Sequence, residues 1–219
     1  IKMLLGQLEQ FYGRFGEAKK LALESKIISE ELKAKQLLAL NLSTLGRVAM
    51  AGGQYDEANE YFIACLNIRL NNQLRAGLAS TYFDIGNVAR QRKDFSQAEK
   101  HFQTTFDIST ALNHSYFVTA AIAGLGHVAM AAGNYKAAQK YFTDYKNAGI
   151  FTGNLRNGLG WLALKFGKFA EARQEFIETL QSKLRLQNIP PVLWSLAGLA
   201  HIEAYEGDVE QALSFLTVI

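Results

Sequence analysis

Three stretches of the chain align with one another without a gap: GRVAMAGGQYDEANEYF (46–62), GNVARQRKDFSQAEKHF (86–102) and GHVAMAAGNYKAAQKYF (126–142). A fourth copy, GWLALKFGKFAEARQEF, follows at 160–176, and weaker copies lie at 6–22 and 200–216. A small residue opens every copy, and an alanine recurs twelve residues later. Both recur every 40 positions, apart from one interval of 34. Two series that stay in step over six copies indicate a tandem repeat.

Each copy contains two apolar stripes with a helical period. In the second copy, one stripe consists of Leu42, Leu45, Gly46, Ala49 and Met50, and the other, after Gly52-Gly53, of Tyr55, Ala58, Phe62 and Cys65. Residues three and four apart share a helix face. Each copy is therefore predicted to be two antiparallel helices that must stack on neighbours. We expect Gly46 and Ala58 to let the two helix axes approach, and Phe62 to fill the space between repeats.

This pattern resembles the tetratricopeptide repeat (TPR) family. With Gly46 as motif position 8, Leu45 falls at position 7, Ala58 at 20 and Phe62 at 24. The usual tryptophan and proline are replaced by Leu42 and Leu70 in this copy, and the period is 40 rather than 34. The resemblance implies an all-α, right-handed TPR superhelix (α-solenoid) of about six helix-turn-helix units, the first and last incomplete. We expect longer helices joined by tight turns to accommodate the additional residues.

The chain is predicted to form a single TPR solenoid domain, 1–219, with units at approximately 1–36, 37–76, 77–116, 117–150, 151–190 and 191–219. No Gly/Ser-rich or Pro-rich linker divides it. The stack should be weakest from Tyr145 to Gly153, where the period shortens, and Pro190 and Pro191 should open the last unit. Because neither end carries a polar capping helix, we expect the natural protein to continue in both directions.

The composition and charge of the chain exclude several classes of function. Hydrophobic residues make up 49% of the 219 residues and charged residues 20%, which is typical of a folded soluble protein. The net charge of +3 includes no basic run that would bind nucleic acid, and no apolar run could span a membrane. The lone Cys65 excludes an internal disulfide, so we expect a buried thiol that packs as a small hydrophobe, in a cytoplasmic protein.

The usual catalytic motifs are missing from the sequence. The string nearest to a phosphate-binding loop runs from Gly160 to Gly167-Lys168, and Phe169 stands where Ser or Thr is needed. Of the four histidines, His101 is expected near the outer surface and His114 in a connection between repeats. His127 and His201 lie almost two repeats apart, too far to share a metal ion. We therefore predict no enzyme, no cofactor and no metal site.

The resemblance also implies where a partner would bind. In TPR proteins the first helices line a concave groove, and positions 2, 5, 9, 12 and 13 face it. Position 9 here holds Gln7, Arg47, Asn87, His127, Trp161 and His201, all polar or aromatic. Solvent exposure explains this row as well as recognition does. The candidate partner-binding residues of the groove are Arg47, Met50, Phe83, Asn87, Arg90, His127, Met130 and Trp161. Arginine beside apolar side chains suits a protein or peptide ligand.

The forty-residue repeats with this sequence pattern are similar to the TPR arms of LuxR/MalT-like and AfsR-like regulators and other bacterial STAND-class ATPases. The closing stretch, PPVLWSLAGLAHIEAYEGDVEQALSFL (190–216), is similar to the last repeat of such arms. That resemblance implies a non-catalytic protein- or peptide-binding scaffold, serving as the regulatory or sensor arm of a larger protein whose neighbouring domains are further partners. Two alternatives stay open. One is a self-assembly module, and the other is a small-molecule inducer sensor with Trp161 and Trp194 in an apolar pocket.

Overall fold

A computed structural model describes residues 1–147, 153–183 and 189–217, which form twelve α-helices and no strand. The helices are α1 (Lys2–Phe11), α2 (Phe15–Glu31), α3 (Lys35–Ala51), α4 (Tyr55–Asn71), α5 (Leu78–Gln91), α6 (Phe95–Ala111), α7 (Ser115–Ala131), α8 (Tyr135–Asn147), α9 (Gly153–Lys165), α10 (Phe169–Lys183), α11 (Ile189–Glu206) and α12 (Val209–Leu216). The all-α class predicted from the sequence is confirmed. Within the described part of the chain, none of the helices has the length and apolar character needed to span a membrane.

The chain divides into two compact units, and the boundary falls inside α7. Unit 1 comprises residues 1–121, and unit 2 comprises residues 122–219. In unit 1, α1 packs on α2, α3 on α4 and α5 on α6, while α2 contacts α3 and α4 contacts α5. In unit 2, α9 packs on α10, α10 on α11 and α11 on α12. Each unit is thus built of helical hairpins stacked in chain order. The single domain and the repeat boundaries stay predictions.

Tight turns join most of these helices. Five of them, α2, α3, α4, α6 and α7, each span 17 residues, and the connections at 32–34, 52–54, 92–94 and 112–114 have three residues each. The break predicted at Gly52-Gly53 is confirmed, because Gly53 has a φ of +74°, which glycine adopts without strain. Asp56 and Glu57 lie in the first turn of α4, where they complement the helix dipole. The connection between α4 and α5, residues 72–77, is longer.

Four phenylalanines at motif position 24 form the centre of the hairpins. Phe62, Phe102, Phe142 and Phe176 are all fully buried. The ring of Phe62 lies over Gly46 of its own hairpin, so closely that a Cβ at Gly46 would lie 2.5 Å from Cε1 of the ring. Phe62 therefore fills the space left by Gly46 within its own repeat, and it also packs with Ile85 and Val88 of the next repeat, as expected. In unit 2, Phe176 lies against Gly160 of its own hairpin and also Gly198 of the next.

Two predictions concern the edges of the described ranges. Of the stretch expected to be weakest, Tyr145 to Gly153, residues 148–152, Gly149 among them, lie outside the described residues. The helix α8 ends at Asn147, and α9 begins at Gly153. The helix α11 begins at Ile189, so Pro190 and Pro191 fall in its first turn as predicted, where a missing amide hydrogen breaks no helical hydrogen bond.

Candidate functional site

The predicted groove residues fall into one group in each unit. In unit 1, Arg47 and Met50 lie on α3, and Phe83, Asn87 and Arg90 lie on the adjacent α5; we call these five residues the unit 1 surface. In unit 2, His127 and Met130 lie on α7 and Trp161 lies on α9; we call these three the unit 2 surface. All eight side chains are half-buried. The motif register therefore selected first-helix residues that remain partly accessible, whereas their role in binding stays a prediction.

Arg47 is held by a carboxylate that the sequence analysis missed. Its Nε donates to Oδ2 of Asp84 at 3.0 Å, and its Nη2 lies 2.9 Å from the same oxygen. Burial raises the pKa of the Asp84 carboxyl, and the guanidinium groups of Arg47 and Arg69 oppose this. Asp84 in turn raises the pKa of Arg47. This pair joins α3 to α5 through the Nε and Nη2 groups of Arg47.

Asn87 and Arg90 lie one turn apart on α5, and neither has a side-chain hydrogen bond or ion pair with any described residue. Burial lowers the pKa of the Arg90 guanidinium, because the half-buried charge is partly removed from water. A desolvated guanidinium without an acceptor binds an incoming carboxylate or carbonyl strongly. These two residues are the part of the unit 1 surface best placed to contact a partner.

Met50 and Phe83 contribute an apolar margin to the unit 1 surface. Met50 packs against the buried cluster that contains Ala58 and Phe62. The ring of Phe83 lies 5.6 Å from that of Phe102 and 6.0 Å from that of Phe117, centroid to centroid. Both side chains are anchored on one side and open on the other. They offer apolar contact area that is already ordered before a ligand arrives.

Arg69 is a second residue that the sequence analysis missed. It lies in the last turn of α4 and is only 4% exposed. Its Nη1 donates to the backbone carbonyl of Ala76 at 3.1 Å, while its Nε has no acceptor among the described residues. In the repeat register Arg69 aligns with Ser29 and Ser109, which are fully buried. An arginine where the neighbouring copies place serine was the available signal.

The backbone after α4 accommodates this arginine. By the 40-residue period from Lys35 and Ser115, α5 should begin at Arg75, but it begins at Leu78. Gly77 adopts a left-handed conformation with a φ of +81°, and a Cβ there would lie 1.5 Å from Nη1 of Arg69. The first turn of α5 is therefore unwound around the guanidinium, and that frees the Ala76 carbonyl to accept its hydrogen bond.

The unit 2 surface is aromatic. The ring of His127 lies 5.6 Å from that of Phe142 and 5.4 Å from that of Trp194, whereas the ring of Trp161 lies 6.3 Å from that of His201. Trp161 and Trp194 thus contact different histidines. The alternative of an inducer sensor, which places both tryptophans in one pocket, stays a prediction. No three His, Cys, Asp or Glu side chains of the described residues are grouped so as to hold a metal ion.

Two further expectations can be compared with the structure. The prediction for Cys65 is confirmed, because the thiol is fully buried and Sγ donates to the carbonyl of Ala39 at 3.1 Å. His101, which was expected near the outer surface, is partly accessible. Its imidazole is half-buried and stacks on the ring of Tyr82 at 6.0 Å, and burial lowers the pKa of His101. A position on the second helix of a hairpin is shielded by the first helix of the same hairpin.

Comparison with known proteins agrees with this architecture. Residues 36–111, from the second residue of α3 to the end of α6, match the family model described as tetratricopeptide repeat. No curated protein matches the chain. Together with the helical hairpins and the solved structures below, the match shows an α-solenoid of helix-turn-helix units of the TPR kind.

The solved structures that are similar to the chain include the following three, whose identities show the fold alone. A Rap protein complexed with Competence and Sporulation Factor has a TM-score of 0.81 and 17% identity, over 99% of this chain and 62% of that one. The apo form of the quorum sensor NprR from B. thuringiensis has a TM-score of 0.69 and 11% identity, over 99% of this chain and 62% of that one. The Rap conjugation gene regulator of plasmid pLS20, in complex with the Phr* peptide, has a TM-score of 0.68 and 14% identity, over 99% of this chain and 71% of that one. The chain spans less than two thirds of the length of the Rap protein bound to Competence and Sporulation Factor and of NprR.

Proposed function

We propose that the chain is a non-catalytic scaffold that binds a protein or peptide through the unit 1 surface. The observation that carries this proposal is the pair of Asn87 and Arg90, half-buried one turn apart on α5 and without a side-chain hydrogen bond or ion pair to any described residue. Polar groups that are partly desolvated and unpaired in the free protein gain free energy when a ligand supplies their hydrogen bonds. Met50 and Phe83 provide apolar contact beside them.

The chemistry of this surface fits an extended peptide or an amphipathic helix. The amide of Asn87 can donate to one backbone carbonyl of a peptide and accept from a backbone amide, and Arg90 can bind a carboxylate. The similar Rap structures are complexes with Competence and Sporulation Factor and with the Phr* peptide. They support a peptide as the ligand of this scaffold. The unit 2 surface, with His127, Met130 and Trp161, would be a second contact region.

A binding selection with matched variants tests this proposal. A pool of synthetic peptides is selected on the chain, and the affinity of enriched peptides is measured by fluorescence anisotropy. We expect Asn87→Ala/Arg90→Ala to weaken binding at least about tenfold, because two hydrogen-bonding groups are lost. The control Glu99→Ala/Lys100→Ala changes two exposed residues of α6 and should leave affinity unchanged. Equal affinities for both double variants would contradict the proposal.

The wider context is also proposed. The chain would be the regulatory or sensor arm of a larger bacterial signal-transduction ATPase or transcription regulator of the STAND class, located in the cytoplasm. The resemblance of the repeats to such arms supports this, as does the likeness to a structure described as a quorum sensor. Reading the complete coding sequence of the gene tests it. A phosphate-binding-loop ATPase or a DNA-binding domain beside the repeats is expected, and an unrelated neighbour would contradict it.

Self-assembly is the second candidate, and a specific observation favours it. The first hairpin exposes apolar side chains, with Leu4 62%, Leu8 46% and Ile27 56% exposed. Such residues pack on another surface when one is available. Light scattering over a concentration series tests this candidate. A mass that rises with concentration would support it, and a monomer throughout would contradict it.

A further inference from the structure

A small polar cavity opens in unit 1 beside α1, α3 and the start of α5. It has a volume of about 190 Å³. Six of its lining residues carry side-chain hydrogen-bonding groups: Gln7, Gln36, Ser43, Arg47, Arg69 and Ser80. The lining contains no aspartate or glutamate. Ser43 and Arg47 occupy first-helix positions 5 and 9, so the cavity lies on the face that also carries the unit 1 surface.

The charges at this cavity do not balance. Arg47 and Arg69 both line it, and the buried Asp84 attracts both guanidinium groups. Asp84 forms its ion pair with Arg47, at 2.9 Å. One carboxylate therefore serves two arginines, and the cluster carries one positive charge in excess. A buried cation without a counter-ion is costly, so an anion in this cavity would be strongly stabilised.

Arg69 also has unused hydrogen-bonding capacity. The side chain is 4% exposed, and its Nη1 donates to the Ala76 carbonyl at 3.1 Å. Its Nε is buried and has no acceptor among the described residues. A guanidinium presents donors in a planar fork that matches the two oxygens of a carboxylate. The hydroxyl group of Ser43 can donate to the same anion, whereas that of Ser80 already donates to the Gly77 carbonyl at 2.9 Å.

We propose that this cavity is a subsite for a carboxylate group of the bound peptide. The volume of about 190 Å³ is smaller than a typical pocket for a whole small molecule, about 300 Å³ or more. The cavity fits a single carboxylate group, either from an Asp or Glu side chain or from the C-terminus of a peptide. The inference rests on the proposed function for its ligand, whereas the affinity of the cavity for carboxylates can be measured independently.

The first experiment uses fragment probes and the unmodified chain. N-acetyl-alanine carries a C-terminal carboxylate, N-acetyl-glutamate α-amide carries a side-chain carboxylate, and N-acetyl-alanine amide is neutral. Each is titrated while the Nε–Hε resonance of Arg69 is followed by NMR. We expect a saturable shift with one or both carboxylates and none with the neutral amide. The effective carboxylate identifies the source. Equal responses to all three probes, or no response to any, would overturn the proposal.

Variants provide the second arm. Arg69→Ser introduces the residue of the neighbouring repeats, and Arg69→Lys keeps the charge but removes the planar fork. We expect Arg69→Ser to weaken carboxylate binding at least about tenfold, as judged from backbone amide shifts of Ser43 and Arg47. The matched control Arg92→Ser changes an exposed arginine that pairs with Asp56. Unchanged carboxylate affinity in both Arg69 variants would overturn the proposal, even if one of them folded poorly.

Peptides then separate this inference from the proposed function. Enriched peptides are compared with versions in which the C-terminus is amidated or Asp and Glu are changed to Asn and Gln. A loss of at least about tenfold in one neutral version supports the subsite. If peptides bind equally well in every version, the subsite is wrong and the proposed function stands. If fragments bind the cavity but no peptide binds the chain, the proposed function is wrong and the carboxylate site stands.

Discussion

The junction between α2 and α3 and the junction between α4 and α5 begin at equivalent positions of the repeat but differ in structure. At the first, the buried Ser29 donates to the Lys26 carbonyl at 2.8 Å and accepts from Nδ2 of Asn41 at 3.3 Å. At the second, Arg69 takes the place of Ser29, and the connection lengthens from three residues to six. A hydroxyl is satisfied within the regular stack, whereas a guanidinium needs an acceptor and more space.

This difference shows how one residue can create a local site in a periodic fold. The unwound first turn of α5 supplies the Ala76 carbonyl, Gly77 leaves room for the guanidinium, and a polar cavity remains. Stacked repeats contact only their neighbours, so such a change stays local. The proposed carboxylate subsite therefore rests on a departure from the repeat and not on the features that all copies share.

The largest expected effect comes from Gly77→Ala. The added Cβ would overlap Arg69, and the left-handed backbone disfavours alanine, so we expect a loss of about 3 kcal/mol in the free energy of unfolding. The control is Gly53→Ala, because Gly53 has a similar φ but nothing within 4 Å of the added Cβ. It should lose only about 1 kcal/mol. Denaturant unfolding measures both, and equal losses would show that the contact with Arg69 is unimportant.

Arg69→Ser makes the second junction resemble the first, and we expect it to change the free energy of unfolding by no more than about 1 kcal/mol. The hydrogen bond to Ala76 is lost, but so is the cost of burying a second guanidinium beside one carboxylate. A loss of about 3 kcal/mol would instead give Arg69 a structural role.

The double variant Gly77→Ala/Arg69→Ser sharpens this test. With the smaller serine the overlap disappears, so the double variant should recover most of the loss caused by Gly77→Ala alone. Additive losses in denaturant unfolding would mean that the strain comes from the backbone of Gly77 and that its spacing from Arg69 does not matter.

The two junctions also show how far the sequence alone can lead. The hairpins and the turn at Gly52-Gly53 were predictable because each recurs in register along the chain. The burial of Cys65 was predictable because the residue stands at a motif position that is usually alanine. The motif register likewise selected half-buried first-helix residues, such as Asn87, as binding candidates. These features depend on local period and on contacts between adjacent helices, which every copy repeats.

Arg69 and Asp84 were not predicted, for a physical reason. Each occurs in one copy only, so neither belongs to a periodic series. Asp84 is buried at a position that Gly158 and Gly198 occupy in later copies, and its ion pair with Arg47 spans 37 residues. The pair joins α3 to α5, so it depends on how two neighbouring repeats pack and cannot be found within a single copy.

A smaller effect is expected at Cys65, a position at which two successive hairpins are alike. Sγ of Cys65 donates to the Ala39 carbonyl. Oγ1 of Thr105, the equivalent residue of the next hairpin, donates to the His101 carbonyl at 2.9 Å and lies 3.4 Å from the Ala79 carbonyl. Cys65→Thr should therefore lose less than about 1 kcal/mol of the free energy of unfolding. The isosteric control Cys65→Val lacks the donor and should be less stable than Cys65→Thr by about 1 kcal/mol. Thermal unfolding measures the stability of both variants. A valine variant as stable as the threonine variant would show that the hydrogen bond to the Ala39 carbonyl does not contribute to stability.

The smallest effect concerns pH and the residue at motif position 23, which is Tyr61 in the second hairpin and His101 in the third. Burial, reinforced by Lys100, lowers the pKa of His101 and is opposed by Asp94, so the unfolded chain binds a proton there more readily than the folded chain. Stability contributed by neutral His101 is thus present above the unfolded pKa, about 6.5, and is lost as the pH falls below it. His101→Tyr should reduce the decline in stability between pH 7 and pH 5. His114→Tyr, at an exposed connection, should retain the decline, and identical pH profiles of the two variants in denaturant unfolding would contradict this assignment.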